Sequence, residues 1–439
     1  MAACLAYAQG VLSREENELL TRVGPGAPMG NLLRCFWQPF ALSTELPHAD
    51  SDPLRVKLLG EDLVAFRDTH GRVGLIQNNC PHRGASMFFG RNEEAGLRCV
   101  YHGWKFDVDG TCVDMPNEPA ESDFRSKVTA TAYPTVDRGG VLWAYLGPKT
   151  ADRPTPPELE WTHVPESHRV VTKRIQFCNY LQNVEGEVDS SHVSFLHSRD
   201  NSSADSAGIR PSDFRSTLPN YMARDRAPRF FVLPTDYGIL IGARRDAESD
   251  SYYWRMTQFL MPTYTMIPSP VGSPVSFTGA TPMDDQQMMG FTVTWHPDRP
   301  LSEAERAQIE SWTGVHTEVD PGTFKPLRNR DNDYLIDRAV QRSGASYTGI
   351  RGIREEDLAV QESMGGVCDR TTEHLGSADL AVIAMRRRLL EAVRALQERG
   401  EVPYEARNAD SYRVRSAALV LPRDVEWNTG AATALTALR

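Results

Sequence analysis

The sequence predicts an α+β protein in which a domain of short antiparallel strands precedes a larger domain of strands and helices. Short runs of alternating apolar and polar residues, separated by turns, extend from Phe36 to about Leu146, a pattern typical of antiparallel sheet. Prolines after Gly147 interrupt this pattern, and a long amphipathic helical pattern begins at Ala378. The 439 residues leave room for roughly two or three domains.

A short capped helix is predicted in the N-terminal segment, residues 1–35. Ser13 can serve as its N-cap, and Glu16 stands three residues later, as in a capping box. The sequence Gly24-Pro25-Gly26 then breaks the helical pattern. Residues 1–12 lack the basic region and the long apolar core of a secretory signal, so we expect a cytoplasmic protein.

The first large domain is predicted to cover residues 36–150. Its strand candidates include residues 55–59, 63–67 and 73–76. Residues 153–157 contain three prolines and are interpreted as the linker that follows this domain.

The second large domain is predicted to cover residues 151–439. Residues 229–233 and 254–261 have the composition of strands, and residues 378–397 have the periodicity of an amphipathic helix. Three consecutive arginines of this helix, Arg386 to Arg388, are interpreted as part of a solvated face.

Composition excludes several classes of protein. Hydrophobic residues make up 40% of the chain and charged residues 24%, as in ordinary globular proteins. A formal net charge of −10 argues against binding to nucleic acid. The lack of a run of about eighteen apolar residues argues against a membrane-spanning helix. Five scattered cysteines are expected to be reduced thiols: Cys4, Cys35, Cys112, Cys178 and Cys368.

The other two cysteines belong to the most informative pattern in the chain. Cys80 and His82 are followed, after sixteen residues, by Cys99 and His102. Two Cys and two His can bind tetrahedral zinc, but zinc sites usually group like ligands together, whereas each pair here mixes one Cys with one His. Mixed pairs suit a [2Fe–2S] cluster in which one iron takes both thiolates and the other takes both imidazoles.

Gly103 and Trp104 follow His102. The whole pattern resembles that of the Rieske family: C-x-H, then a sixteen-residue spacer, then C-x2-H-G-W. The resemblance implies that residues 36–150 form an antiparallel β-sandwich Rieske domain. It also implies that Cys80, His82, Cys99 and His102 hold a [2Fe–2S] cluster.

A second motif, in the larger domain, combines Asp189, His192 and His197. Two imidazoles and a carboxylate form the facial triad of non-haem Fe(II) oxygenases, which leaves coordination positions open for O2. Histidines five residues apart do not share one face of an ideal helix, so they converge only if the helix is distorted or ends between them.

Downstream of a Rieske motif, D-x2-H-x4-H resembles the catalytic signature of Rieske non-haem iron ring-hydroxylating oxygenases. The resemblance implies a catalytic domain with a helix-grip (START-like) fold, in which a curved antiparallel sheet is combined with C-terminal helices. His192 and His197 would then bind a mononuclear Fe(II).

The resemblance places the third iron ligand far downstream, on a helix. Asp357 matches the position of the family's liganding Asp, but Glu355, Glu356 and Glu362 compete with it in the same acidic run. The alternative interpretation is an ordinary acidic first turn, stabilised by the helix dipole.

Asp189 has a separate role by the same resemblance. It is expected to join iron-bound His192 to a Rieske histidine of a neighbouring subunit, here His102, and so to connect the two metal centres. This arrangement requires a ring of subunits, as in a trimer or a stacked hexamer. No G-x-G-x-x-G or P-loop motif occurs, so NAD(P)H is expected to bind a separate flavin and iron–sulfur reductase that donates the electrons.

The whole chain, including residues 15–26 and 252–262, resembles the phthalate dioxygenase branch of this family. The resemblance implies O2-dependent hydroxylation of an aromatic carboxylate, such as phthalate or a substituted benzoate, to a cis-dihydrodiol. Aromatic O-demethylation by a Rieske monooxygenase is the alternative within the enzyme class. A Rieske electron-transfer or sensor protein is the alternative outside it.

A buried substrate carboxylate calls for a bidentate guanidinium. Arg255 is the first candidate because it lies in a strand-like segment with aromatic neighbours, and Ser190 can add a hydrogen bond. Further candidates are Arg215, Arg224 and Arg244 for the carboxylate, and Phe195, Phe259, Met261 and Met266 for the aromatic ring.

Overall fold

The computed structural model describes residues 11–119, 121–148, 153–198 and 220–437. The chain begins with two short helices, α1 (Arg14–Thr21) and α2 (Pro28–Arg34). Ser13 Oγ accepts from the backbone N–H of Glu16, and the Glu16 carboxylate accepts from the backbone N–H of Ser13. The predicted helix and its capping box are therefore confirmed.

Short antiparallel strands follow the two helices. They are β1 (Trp37–Leu42), β2 (Leu54–Leu58), β3 (Glu61–Arg67), β4 (Val73–Gln77), β5 (Arg91–Glu93), β6 (Gly96–Arg98), β7 (Lys105–Phe106), β8 (Cys112–Asp114), β9 (Ala132–Tyr133), β10 (Thr135–Arg138) and β11 (Val141–Tyr145). They pair into three sheets with the orders β1-β11-β10, β2-β3-β4-β9 and β5-β6-β7-β8. The three predicted strand runs coincide with β2, β3 and β4 to within two residues.

A compact apolar core lies between the two four-stranded sheets. It contains Val64 and Ile76 from one sheet and Leu97 and Phe106 from the other. Cys80, Cys99 and Trp104 belong to the same core. The two loops that carry the predicted cluster ligands are therefore anchored to the interior of this sandwich.

The second part of the chain is built on one large antiparallel sheet. Its strands are β12 (Arg169–Gln176), β13 (Arg229–Thr235), β14 (Gly238–Asp246), β15 (Ser251–Leu260), β16 (Tyr264–Ile267), β17 (Val275–Pro282), β18 (Met288–Trp295) and β19 (Ala417–Pro422). Their order is β12-β18-β17-β16-β15-β14-β13, and β19 also pairs with β15. The strands predicted at residues 229–233 and 254–261 correspond to β13 and β15.

Helices lie against this sheet and at its ends. They are α3 (Tyr180–Val188), α4 (Tyr221–Arg224), α5 (Glu303–Glu310), α6 (Arg338–Ser343), α7 (Ile353–Ser363), α8 (Leu380–Arg399), α9 (Tyr404–Arg407), α10 (Trp427–Gly430) and α11 (Ala432–Leu435). Among the helices of the described residues, none is both long and apolar enough to cross a bilayer.

The long predicted helix is α8, but its basic face is not simply solvated. Arg386 is buried and binds Glu373 and Glu185, with its Nε 2.6 Å from Glu185 Oε1. Of the other two consecutive arginines, Arg387 is exposed and Arg388 is half-buried. The interpretation of this face was wrong at Arg386 because α3 supplies a buried carboxylate that the local sequence does not reveal.

The main core runs across both parts of the chain. Trp143 of β11 packs on Trp161 with 6.0 Å between ring centroids, and Trp161 packs on Phe277 of β17 at 5.3 Å. The hydroxyl of Tyr180 in α3 donates to the carbonyl of Leu20 in α1, so the N-terminal helices pack on the second part of the chain. The predicted boundary at residue 150 lies outside the described residues.

Candidate metal centres and active site

The four predicted cluster ligands meet at one end of the small sandwich. Cys80 and Cys99 are 3% and 2% exposed, respectively. The rings of His82 and His102 are 4.5 Å apart between centroids. These four residues line one pocket together with Arg83, Ala85, Tyr101 and Trp104.

The two ligand loops have the same backbone geometry. Gly84 N–H donates to Cys80 C=O at 2.9 Å, and Gly103 N–H donates to Cys99 C=O at 3.0 Å. Both glycines have positive φ, +78° and +79°, a conformation that glycine adopts without steric cost. Each turn thereby brings its thiol and its imidazole to the same pocket.

The chemistry of the pocket suits a Rieske cluster. Burial raises the pKa of the Cys80 thiol to about 11, so a positively charged metal centre is needed to hold it as a thiolate. Nδ1 of His82 is buried and has no hydrogen-bond partner among the described residues, while its ring stacks on Trp104 at 4.4 Å. Two thiols and two imidazoles around one pocket fit the donor set of a [2Fe–2S] Rieske centre.

The second motif lies where α3 ends. α3 stops at Val188, and Asp189 at its C-cap has extended backbone. His192 then begins a short 3-10 turn, His192–Ser194. Because the helix ends before His192, the two imidazoles converge, with 5.0 Å between the centroids of His192 and His197.

Asp357 completes this group from α7. Its Oδ1 lies 3.3 Å from His197 Nε2 and 3.7 Å from His192 Nε2. One ligand atom from each of the three residues lies within 4.8 Å of the others. The donor set and spacing fit a facial triad of two imidazoles and one carboxylate.

The charges around Asp357 and His197 set the pKa values of both side chains. Burial opposes ionisation of Asp357, but the imidazole of His197 and the guanidinium of Arg354 hold its pKa at about 2. Burial would lower the pKa of His197, but Asp357 and Glu356 outweigh it and raise that pKa to about 9. Without a metal, an imidazolium and a carboxylate therefore face each other, a pair that a divalent cation can replace.

The competing carboxylates of the acidic run have other partners. Glu355 accepts from Thr317 Oγ1, and burial raises its pKa to about 7. Glu356 Oε2 lies 2.8 Å from His197 Nδ1. Glu362 accepts from the hydroxyl of Tyr334 at 2.7 Å. Within the described residues, Asp357 is the carboxylate of this run that reaches the Nε2 atoms of both histidines.

Asp189 contacts the first histidine of the motif. Its Oδ2 lies 3.3 Å from His192 Nδ1, and its Oδ1 accepts from the Ser191 N–H at 2.6 Å. Burial would raise the pKa of Asp189, but the His192 imidazole and the Ser191 N–H together lower it. Its expected contact with His102 of a second subunit is intermolecular and stays a prediction.

Arg255 of β15 points toward the same turn. It pairs with Ala243 of β14, and its Nε donates to Ser190 Oγ at 3.2 Å. Among the described residues, neither terminal nitrogen of its guanidinium has a hydrogen-bond partner. A half-buried guanidinium thus lies beside the residue that follows Asp189, with two N–H-bearing nitrogens available for a ligand.

Arg245, two residues beyond Ala243 on β14, was not anticipated from the sequence. It is 1% exposed, and its Nη2 donates to Ser190 C=O at 2.7 Å. Burial lowers its pKa to about 10, with Arg255 adding to the effect. The period-2 alternation of β14 could have identified it, because Arg245 shares the face of Ala243, whereas Arg244 does not.

The other arginine candidates lie elsewhere. Arg224 forms a surface ion pair with Glu248, and its side chain is 58% exposed. Arg244 stacks on the ring of Tyr252 at 4.2 Å, on the opposite face of β14 from Arg245. Arg215 lies outside the described residues.

The apolar candidates divide into two groups. Phe259, Met261 and Met266 are fully buried in the main core. Phe195 is 43% exposed, and Arg226 stacks on its ring at 4.6 Å.

The β-sandwich carries a pocket lined by sulfur and imidazole, and the second domain carries a group of two histidines and one carboxylate. Together the two sites define an iron-dependent redox enzyme with two metal centres. Comparison with known families gives the same result. Residues 36–134 match the Rieske [2Fe-2S] domain, and residues 144–437 match the family described as LigXa C-terminal domain like.

Relatives of known activity match almost the full chain. The 3-chlorobenzoate-3,4-dioxygenase oxygenase subunit of Comamonas testosteroni is 38% identical over 94% of this chain and 96% of its own length. The phthalate 4,5-dioxygenase oxygenase subunit of Pseudomonas putida is 38% identical over 95% and 94%, respectively. This chain therefore belongs to the Rieske non-haem iron oxygenases, as an oxygenase component with a [2Fe–2S] cluster and a mononuclear iron.

The fold agrees with this assignment. The solved terminal oxygenase of carbazole 1,9a-dioxygenase from Nocardioides aromaticivorans IC177 superposes with a TM-score of 0.54 at 18% identity, covering 86% of this chain and 97% of that chain. The predicted combination of a Rieske β-sandwich with a larger catalytic domain of sheet and helices is confirmed.

Proposed function

We propose that this oxygenase component hydroxylates an aromatic carboxylate, such as phthalate or a substituted benzoate, to a cis-dihydrodiol. The observation that carries the proposal is the position of Arg255. Its guanidinium is held by Ser190, whose chain neighbour Asp189 contacts His192, and its two terminal nitrogens are free among the described residues. A planar guanidinium of this kind suits bidentate binding of a carboxylate.

Two sets of residues hold the two proposed metal centres. The cluster ligands are Cys80, His82, Cys99 and His102. The mononuclear iron ligands are His192, His197 and Asp357. When bound there, iron supplies O2 activation at positions left open by a facial triad. Arg255 and Ser190 bind and orient the carboxylate so that the aromatic ring faces this centre.

The proposed electron route begins at a separate flavin and iron–sulfur reductase, which takes electrons from NAD(P)H. Asp189 connects His192 to His102 of a neighbouring subunit. The subunits form a cytoplasmic trimer or stacked hexamer. Asp189 supports this role because its side chain is 22% exposed while it contacts His192. A partner imidazole can therefore reach its carboxylate from outside the chain.

A substrate panel tests the reaction and the substrate class together. The purified protein is supplied with NADH, a flavin and iron–sulfur reductase, and separate phthalates, chlorobenzoates and methoxybenzoates. A product heavier than the substrate by O2 and two hydrogens indicates the dihydrodiol. Loss of a methyl group with release of formaldehyde indicates the O-demethylase alternative, and no product from any aromatic acid contradicts the proposal.

Metal analysis and one substitution separate the oxygenase from a Rieske carrier or sensor. The oxygenase requires three irons per chain, two in the cluster and one mononuclear, whereas a carrier requires two. His192→Ala is expected to abolish product formation and to leave the visible absorption of the cluster unchanged. Turnover retained by this variant would exclude the proposed iron site.

A further inference from the structure

We propose that Glu356 is the positioning residue for His197, and that it sets the orientation of this imidazole and the affinity of the site for iron. The inference rests on the proposed iron site and gives a role to one of the acidic residues beside Asp357. Glu356 is fully buried, and it lies on α7 directly before Asp357.

Two consecutive residues of α7 contact the two nitrogens of one ring. Glu356 Oε2 lies 2.8 Å from His197 Nδ1, and Asp357 Oδ1 lies 3.3 Å from His197 Nε2. A carboxylate at Nδ1 holds the proton on that nitrogen and leaves the lone pair of Nε2 for a metal. Glu356 therefore selects the tautomer in which His197 can be a ligand on the side of Asp357.

Glu356 is itself held in place. Its other oxygen, Oε1, accepts from the hydroxyl of Thr348. The loop that contains Thr348 is joined to the histidine segment, because Tyr347 N–H donates to Ser198 C=O at 3.0 Å. The carboxylate is thus fixed from α7, from Thr348 and from His197, so little conformational entropy is lost when metal binds.

The carboxylates at the two histidines differ in exposure. Asp189 lies 3.3 Å from His192 Nδ1, and these side chains are 22% and 23% exposed. Glu356 and His197 are 0% and 8% exposed at the shorter distance of 2.8 Å. Asp189 can meet a group from another subunit, whereas Glu356 is enclosed, so its effect is confined to holding the metal.

Four variants test the inference with iron(II) alone, without substrate or reductase. Glu356→Ala removes the hydrogen bond, Glu356→Gln keeps an acceptor but removes the charge, and Thr348→Val releases the carboxylate. Glu362→Gln is the matched control, because it removes a buried carboxylate from α7 that bonds Tyr334 and the N–H of Phe177 instead of a histidine.

The mononuclear metal is removed with a chelator and iron(II) is titrated back, with the cluster absorbance as the measure of folded protein. Glu356→Ala is expected to bind iron(II) about 10–100-fold more weakly. Glu356→Gln and Thr348→Val are expected to show smaller losses, and Glu362→Gln to match the unsubstituted protein. With cobalt(II) as a spectroscopic probe, Glu356→Gln should shift the visible bands of the metal.

Unchanged iron(II) affinity and unchanged cobalt(II) bands in both Glu356 variants would overturn the inference. Equal losses in Glu356→Gln and Glu362→Gln would also overturn it, because they would indicate a general effect of α7. If Glu356→Ala loses its cluster absorbance through misfolding, Glu356→Gln and Thr348→Val still decide the question. Failure of the substrate panel with normal metal binding would count against the proposed function and not against this role.

Discussion

At the scale of single residues, the proposed iron site is a balance of charge between one carboxylate and two imidazoles. Asp357 is ionised far below neutral pH, and the pKa of His197 is raised to about 9. In the metal-free protein this ion pair stabilises the fold fully between the ordinary pKa values of aspartate, about 3.9, and histidine, about 6.5. The stabilisation is lost as the pH rises through about 9.

Iron binding is therefore expected to depend on pH. Iron(II) must displace the proton from His197, so its apparent affinity should rise about tenfold per pH unit between about pH 6.5 and 8. Titration of the metal-free site with iron(II) in anaerobic buffers at several pH values measures this slope. An affinity that does not change with pH would show that His197 is already neutral before the metal binds.

Substitution of Arg255 tests the substrate site. Arg255→Gln removes a charge-assisted hydrogen-bond donor, which is worth about 1.5–3 kcal/mol, so KM for the aromatic acid should rise about tenfold or more. Arg244→Gln is the matched control because Arg244 stacks on Tyr252 on the other face of β14. Steady-state kinetics of both variants give the comparison, and an equal rise in KM for both would assign the carboxylate to another residue.

At the scale of elements, the start of α7 determines where Asp357 lies. Gly352 is the N-cap of α7 and has φ of +103°, which is unfavourable for residues with a side chain. A Cβ at this position would meet the carboxylate of Glu355 and lie 3.0 Å from the carbonyl oxygen of Trp312. The chain therefore enters the helix in one conformation, and the direction of the Asp357 side chain follows from it.

Gly352→Ala is expected to lower both stability and iron content. A backbone at φ 103° and ψ 136° costs a non-glycine residue about 1–3 kcal/mol, and the contacts at Glu355 and Trp312 add to that cost. Gly365→Ala is the control, because Gly365 has φ of +90° and open space around its Cα. Urea unfolding and iron analysis should show a larger loss at Gly352, and equal losses would mean that only the backbone strain matters.

At the scale of the whole molecule, large apolar side chains are exposed near both proposed metal centres. Near the cluster, Val100 and Tyr101 are 57% and 55% exposed; beside the histidine segment, Tyr347 is 57% exposed and its backbone N–H donates to Ser198 C=O. Such side chains are typical of surfaces that another subunit covers. Exposed apolar side chains at each end of the proposed electron route fit the proposed ring, in which the cluster of one chain would meet the iron site of the next.

Tyr347→Asp is expected to break this ring. A charge at position 347, beside the histidine segment, would be buried without a partner on assembly, at a cost of several kcal/mol. Light scattering should show a smaller particle, and the reductase should still reduce the cluster while product formation falls. Val271→Asp, in the turn between β16 and β17, is the matched control because Val271 is 63% exposed; the loss of assembly in both variants would argue against a specific interface.

The sequence by itself determined the class of enzyme and the candidate cluster and iron residues that lie in its two local motifs. Cys80 with His82 and His192 with His197 lie close in the chain, so local turns and a helix end suffice to bring each pair together. Tertiary structure decided which acidic residue of α7 joins the histidines and which strand arginine points to them. Asp357 was matched by resemblance and Arg255 was chosen for its strand-like segment with aromatic neighbours, but the contacts of Glu356 with His197 and of Arg245 with Ser190 are set by the tertiary structure. These contacts depend on the phase of a helix and the face of a strand, and both are fixed by packing between elements far apart in the chain.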